Sequence, residues 1–472
     1  MLAARNIQYE MADRMRAIPC GGVGAFHVLA QRVGLVKVAD RVLHLLKRHL
    51  PYQESDHVLN VAYNSLTGGT ALDDITLHRD DEAYLDALGA ERIPAPTTAG
   101  DFTRRFERSD VVGLQEGVNG VRVKMWRRRL SRAERLLAVV EADGLVAPTT
   151  GECKEGMDRA YNGLWGYHPL LVSLSNTSEP LYLVNRPGNR PSHEGAAEWL
   201  DRAAGLVRQA FRGVCFRGDT DFALTVHFDR WTAAGVGFVF GIDAMANLKA
   251  IADGIEEPCW KPLKRRIKRV VETEPRKRPE NVKERIVRER EYKNISLVSE
   301  HVAEFPYRPT ACKRTYRVVV LRKNLSVERG ECVLFDDVRY FFYITNLTDR
   351  TAEEIVFFAN DRCNQENLIE QLKNGVHALR MPVDDLVSNW AYMVMASLAW
   401  TLKAWFALVV RDGERREELL RMEFRRFLHA IVMVPCQIVR GAGRVLYRIL
   451  GYTDWTRTFL RTFERIRQLE FT

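Results

Sequence analysis

Residues 136–149, "LLAVVEADGLVAPT", decide the fold. Apolar and β-branched residues run through the stretch, and Gly144 and Pro148 supply the turn chemistry that ends it, so it reads as a strand. Side chains alternate faces along a strand, so Glu141 and Asp143 point to the same side. Two more strands follow, in "GYHPLLVSLSN" (166–176) and "PLYLVNRPGN" (180–189), with turn residues between them. A Ser-capped helix, "SHEGAAEWLDRAAGLVRQAF" (192–211), then leads to a short buried strand, "VCFRGD" (214–219).

The order is strand, strand, strand, helix, strand, with Asp143 on the first strand and Asp219 at the end of the fourth. That is the order of a ribonuclease-H-like α/β fold, a mixed sheet with flanking helices in which the first and fourth strands lie side by side. The two aspartates are thereby expected at one end of the sheet. Two alternatives stay open on the residues alone. Glu141 shares a strand face with Asp143, and Asp221 lies two residues beyond Asp219; we choose Asp219 because it ends the strand.

Working outward, residues 1–130 carry helix signals. "VADRVLHLLKRHL" (38–50) and "LDDITLHRDDEAYLDALGA" (72–90) place apolar residues at helical spacing, and the region closes on the basic run "VKMWRRRLSRAERL" (123–136). This predicts an α-helical N-terminal domain able to bind DNA. The first part of the catalytic core is expected over 131–254. Residues 255–350 interrupt it as a basic and β-rich insertion. The insertion opens on "KPLKRRIKRVVETEPRKRPENVKERIVREREYK" (261–293), where Lys264, Arg265 and Arg266 are candidate phosphate contacts, and continues into strands such as "TYRVVVLRK" (315–323) and "VRYFFYITNL" (338–347). The core resumes over 351–412, and a basic helical tail is expected over 413–472.

Within the resumed core, "NDRCNQENLIEQLKNG" (360–375) puts Arg362, Glu366 and Lys373 at intervals of four and seven, one face of a helix. Alone, such a stripe reads as a solvated surface. After a first-strand Asp and a fourth-strand Asp, Glu366 becomes the expected third carboxylate, with Arg362 and Lys373 on the DNA backbone. Glu370, one turn further on, has no assigned role. The next segment, "WAYMVMASLAWTLKAWFALVV" (390–410), is apolar for about a membrane span's length. Lys403 interrupts it and the chain offers no second candidate, so we expect a helix buried in a large core; the competing reading is a basic membrane-associated protein anchored there.

Bulk properties set the chemistry's frame. The 472 residues exceed one compact core, and the net charge of +9 suits a phosphate-bearing partner. The eight cysteines stand singly with no CxxC pair, which fits a reducing compartment and no structural zinc. Gly-containing turns such as "RPGNRP" match neither a P-loop nor a dinucleotide fingerprint, "PSHEG" reads as a helix start rather than a nucleophile with its base, and His168 reads as structural. Paired acids also serve glycosidases, which would not explain the positive charge. Displacement at a phosphodiester needs stabilised attacking and leaving oxygens, which two Mg²⁺ ions held by carboxylates can supply.

The blocks "EADGLVAPTTGECKEGMDRAYNGLWGYHPLLVSL" (141–174), "LVNRPGNRPSHEGAAEWL" (183–200), "CFRGDTDFAL" (215–224), "FVFGIDAMANL" (238–248) and "NDRCNQENLIEQLKNG" occur in an order that resembles the DDE transposases of bacterial insertion sequences, most closely the thirteen-eighty group. The resemblance implies an enzyme that binds its element's terminal inverted repeats, cuts at the ends and joins the exposed 3′ hydroxyl to target DNA. It places the acidic motif on Asp143, Asp219 and Glu366 as catalytic metal ligands for two Mg²⁺ ions, with Mn²⁺ able to substitute, and the accompanying Arg and Lys on Arg362 and Lys373. It further implies a homodimer in the synaptic complex, a bacterial cytoplasmic, nucleoid-associated location, and no small-molecule substrate. Ala359 departs from the family's aromatic at that position, and Asp221 from its usual small residue. A transposase-derived DNA-binding protein without catalysis is the alternative.

Overall fold

A computed structural model describes residues 16–470 apart from 50, 152, 266–284, 287–289, 291–292, 330–331 and 442–443. The N-terminal region is helical, as expected. Its helices include Val23–Arg32, Leu35–Val42 and Glu54–Leu66, and it closes with α1 (Arg108–Arg129).

Beyond it lies a nine-stranded sheet. In chain order the strands are β1 (Leu137–Gly144), β2 (Leu170–Leu174), β3 (Glu179–Val184), β4 (Gly213–Gly218), β5 (Val236–Ile242), β6 (Lys261–Pro262), β7 (Lys293–Tyr307), β8 (Tyr316–Arg329) and β9 (Cys332–Thr345). Helix α2 (Ala196–Val207) connects β3 to β4. Across the sheet the order is β6-β7-β8-β9-β5-β4-β1-β2-β3. Strands β1, β4 and β5 run parallel, β2 runs antiparallel to β1, and β3 runs antiparallel to β2. This is the ribonuclease-H-like arrangement, and it brings the carboxyl ends of β1 and β4 together.

The insertion does not stand apart from the core. Strand β9 pairs antiparallel with β5 from Phe342↔Ile242 to Thr345↔Val239, so the long strands β7, β8 and β9 extend the main sheet. Helix α3 (Ala352–Asn360) lies across this extension, burying Ile355 and Val356 against Val239, Val302, Val319 and Leu321. The strand reading of 315–323 and 338–347 could not show this join, because register between distant strands is fixed by packing rather than by local pattern.

Two elements differ from expectation. The charged stripe is not one helix. Helix α3 ends at Asn360, Asp361 and Arg362 turn the chain, α4 spans Cys363–Glu370, and a wide five-residue π turn, Gln371–Gly375, follows. Nor is 413–472 wholly helical. Strands Cys436–Gly441 and Arg444–Ile449 form a hairpin on which Arg16–Ile18 adds a third strand, tying the two ends of the described chain together. Two short β-branched and aromatic runs separated by Gly441 and Gly443 in "QIVRGAGRVLYR" are a hairpin signal. A reading guided by the arginines, which are good helix formers, passes over it.

The apolar segment is α5 (Leu386–Val409), the one helix among the described residues long and apolar enough to cross a membrane, and it is buried from Ser388 to Val409. It packs against Glu54–Leu66, α1 and β3, so its uniform hydrophobicity answers a core contact on every side. Its indoles are anchored to the sheet edge: Trp400 Nε1 donates to Ser178 O at 2.6 Å and Trp405 Nε1 to Glu179 Oε1 at 2.9 Å. Lys403 is buried as well, its Nζ donating to Leu420 O at 2.9 Å and lying 3.7 Å from the Trp400 ring centroid.

Burial holds the Lys403 ammonium well below the ordinary lysine range. Between its folded value and about 10.4, the unfolded chain binds a proton that the folded chain does not, so this group makes stability rise with pH across that interval. Wild type is therefore expected to gain about 1 kcal/mol or more over Lys403→Met between pH 7 and pH 10, read from paired urea unfolding curves. Equal gains in the two proteins would show that Lys403 stays charged in the fold.

Candidate active site

The site is assembled by strand register. Glu141 on β1 stands opposite Arg217 on the parallel β4, and two residues further along each strand come Asp143 and Asp219. The pattern is thus acid-x-Asp beside Arg-x-Asp, with the ion pair inside and the two aspartates at the rim.

The inner pair is buried. Arg217 places Nε and Nη2 each 2.7 Å from Glu141 Oε1. Its remaining capacity goes to Phe358 O at 2.7 Å, Ser175 Oγ at 2.9 Å and Asp361 O at 3.4 Å. A guanidinium has five donors in a fixed fork, and here that fork fastens the last turn of α3 to the sheet. Glu141 is accordingly a positioning group: burial raises its carboxyl above the ordinary range, opposed by Arg217.

The outer pair meets one cation. Arg362, carried on the turn that Arg217 fastens, places Nη2 2.7 Å from Asp143 Oδ2 and 3.1 Å from Asp219 Oδ2. Asp143 and Arg362 are each 17% exposed at the side chain and Asp219 36%. Asp219 also accepts from Asp221 N at 3.1 Å, capping the turn Thr220–Phe222, while the Asp221 side chain is exposed.

Burial and the nearby Asp219 charge push the Asp143 carboxyl up to about 6 against the pull of Arg362. Arg362 itself is held above its ordinary value, because two carboxylates outweigh its burial.

Glu366 does not join them. It is exposed on the first turn of α4, whose buried face carries Gln365 and Leu368, with Gln365 Nε2 donating to Ser173 Oγ at 3.3 Å. Among the described residues no three His, Cys, Asp or Glu side chains gather as a metal-holding group. The expected division of the stripe is therefore changed: Arg362 turns inward onto the aspartates rather than outward to DNA, because the chain breaks before α4 and leaves its side chain facing two carboxylates.

Lys373 is exposed on the π turn, and Glu370 accepts from Asn374 Nδ2 at 2.6 Å. In the insertion Lys264 is exposed, and Arg266 lies outside the described residues. Arg265 is engaged with Glu300, at 2.5 and 2.8 Å, so it is not an unpaired phosphate contact.

His168 is structural in the way its neighbours show. Its Nδ1 bonds Arg190 O at 2.5 Å, and its Nε2 fills the space where a Cβ on Gly144 would lie, 2.9 Å from that position. Only glycine fits there, directly after Asp143. Sequence reasoning missed the roles of Arg217 and of inward-facing Arg362; the signal available for the first was the matching x-Asp spacing on two strands expected to be adjacent.

The family model described as "Transposase DDE domain group 1" matches residues 16–471. The chain belongs to this DDE transposase family. The family member also bears a distant likeness to a cryo-EM structure of the piggyBac transposase synaptic complex with hairpin DNA, at 9% identity and TM-score 0.36, covering 96% of this chain and 88% of that one. A search of curated proteins finds no match.

Proposed function

We propose that this DDE transposase belongs to a bacterial insertion sequence of the thirteen-eighty group, cuts DNA at the terminal inverted repeats of its element and transfers the 3′ hydroxyl into target DNA. The observation that carries the reading is the Asp143–Arg362–Asp219 cluster at the carboxyl ends of adjacent parallel strands, in a chain matched by a transposase family over nearly its whole length. The proposed partners are the end and target DNA and a second copy of the chain in the synaptic complex; the proposed location is the bacterial cytoplasm, at the nucleoid.

The donor set fits a hard divalent cation. Asp143 and Asp219 offer only oxygen, and they already share one positive charge. With Glu366 brought alongside from α4, they would hold Mg²⁺ or Mn²⁺, two ions in the working complex. The bound metal supplies Lewis-acid stabilisation of the attacking and leaving oxygens.

The chain's own residues do the rest. Asp219 is oriented by the Asp221 backbone amide, and Arg217 with Glu141 fixes the turn that carries Arg362. Arg362 neutralises the aspartates, a charge that a bound cation would replace, and exposed Lys373 and Lys264 contribute to the positive field that draws DNA.

Two measurements test this. The first incubates the full chain with labelled DNA carrying the sequences that flank its gene; Mg²⁺-dependent nicks at the element's ends support the reading, and binding without cleavage in either Mg²⁺ or Mn²⁺ would favour the DNA-binding alternative, which the exposed position of Glu366 supports. The second titrates Mn²⁺ against DNA-free protein by electron paramagnetic resonance. Arg362→Gln is expected to bind Mn²⁺ about tenfold more tightly than wild type, because the competing charge-assisted hydrogen bonds are lost. Unchanged or weaker binding would mean that Arg362 does not compete for the aspartates.

A further inference from the structure

Between β1 and β2 the chain makes a small three-stranded sheet from Ala147–Pro148, Trp165–Tyr167 and Asp158–Arg159. Its tip is tightly closed. Ala160 N donates to Leu164 O at 2.8 Å, Gly163 N to Ala160 O at 2.9 Å, and Gly163 takes φ +84°, a conformation open to glycine at no steric cost. On this fixed hairpin Tyr161 is 82% exposed and Trp165 55% exposed, a large aromatic area for a chain to leave in water.

Register groups two of these side chains. Arg159 pairs directly with Trp165, so the two share a face, and Tyr161 stands on the turn at the tip of the same hairpin. Asp158 falls on the opposite face, and Arg159 has no carboxylate in ion-pairing distance among the described residues.

The hairpin also sits at the aspartate end of the main sheet. The Tyr161 ring centroid is 5.7 Å from that of His168, whose Nε2 abuts Gly144, the residue after Asp143. Two exposed aromatics and an unpaired guanidinium next to a phosphodiester-cutting site match the chemistry of unpaired nucleotides, whose bases stack on aromatic faces while their phosphates meet cations. Bases inside an intact duplex cannot offer those faces.

We propose that Tyr161 and Trp165, flanked by Arg159, form a stacking platform for unpaired DNA bases beside Asp143 and Asp219. The inference rests on the DNA-cutting reading of that site and adds the strand state it handles.

The test measures binding of a fluorescein-labelled oligothymidylate and of a mixed-sequence duplex to the full chain in EDTA, by anisotropy. Tyr161→Ala/Trp165→Ala is expected to weaken oligothymidylate binding about tenfold or more while duplex binding changes less than about twofold, and Tyr161→Phe/Trp165→Phe to bind both like wild type. Both side chains are exposed, so the thermal unfolding of the variants should coincide with that of wild type. Equal losses on the two DNAs, or no loss on either, would overturn the platform and leave the transposase reading standing. A wild-type chain that binds neither DNA would overturn that reading, and the platform with it.

Discussion

With end DNA and Mn²⁺ present, Asp143→Asn and Asp219→Asn are each expected to cut at about one thousandth of the wild-type rate or less while still binding that DNA. The substitution keeps the size of each side chain and removes its charge, so it withdraws an anionic oxygen from the cation without opening a cavity. Metal stabilisation of the transition state is worth several kcal/mol, and a loss of about 4 kcal/mol is a factor of about 10³ in rate. Neither change should cost the fold. Burial already pushes the Asp143 carboxyl up to about 6, so the neutral amide relieves a desolvated charge there, and Asp219 keeps a side-chain oxygen able to cap Asp221 N. A gel-shift on the same DNA and a thermal unfolding curve separate lost chemistry from lost structure. Wild-type cleavage in either variant would remove that residue from the site.

The second large effect concerns the joint between the helical region and the sheet. Glu179, fully buried at the start of β3, accepts from Trp126 Nε1 at 2.7 Å, Trp405 Nε1 at 2.9 Å and Thr177 Oγ1 at 2.6 Å, and lies 3.4 Å from Arg122 Nε. One carboxylate thereby holds α1 and α5 to the sheet edge. Glu179→Ala would leave the 3% exposed Arg122 as an uncompensated buried charge and two indole N–H groups without acceptors. Removing one partner of such a pair costs about 3–5 kcal/mol, so the urea midpoint should fall sharply. Adding Arg122→Met should recover part of that loss, because it removes the stranded charge. If the double variant is no more stable than Glu179→Ala, the cost lies in the lost indole hydrogen bonds rather than in the ion pair.

The strand order from Leu136 to Asp219 was legible because each strand is short, is bounded by turn residues and differs in period from α2. The burial of α5 was legible for a compositional reason: Lys403 breaks a span that no second span accompanies, and the structure closes every side of it with protein. The join between β9 and β5 was not legible, since it pairs residues about a hundred apart in sequence and no local pattern records it. The break before α4 was hidden for a different reason. "NDRCNQEN" contains no Pro or Gly, and what bends the chain there is tertiary, the Arg217 fork drawing Phe358 O and Asp361 O to the sheet. Because the break was hidden, the direction of Arg362 was hidden with it, and spacing alone sent it to DNA with Lys373.

The most direct measurement is the anomalous scattering of Mn²⁺ in crystals of the full chain bound to its end DNA. A peak is expected between the Asp143 and Asp219 carboxylates, in the place the Arg362 guanidinium takes in the metal-free chain, with Arg362 withdrawn and Glu366 turned toward the metal. A crystal whose DNA has been cut, with Arg362 still seated on both aspartates and the Mn²⁺ peak elsewhere, would contradict it.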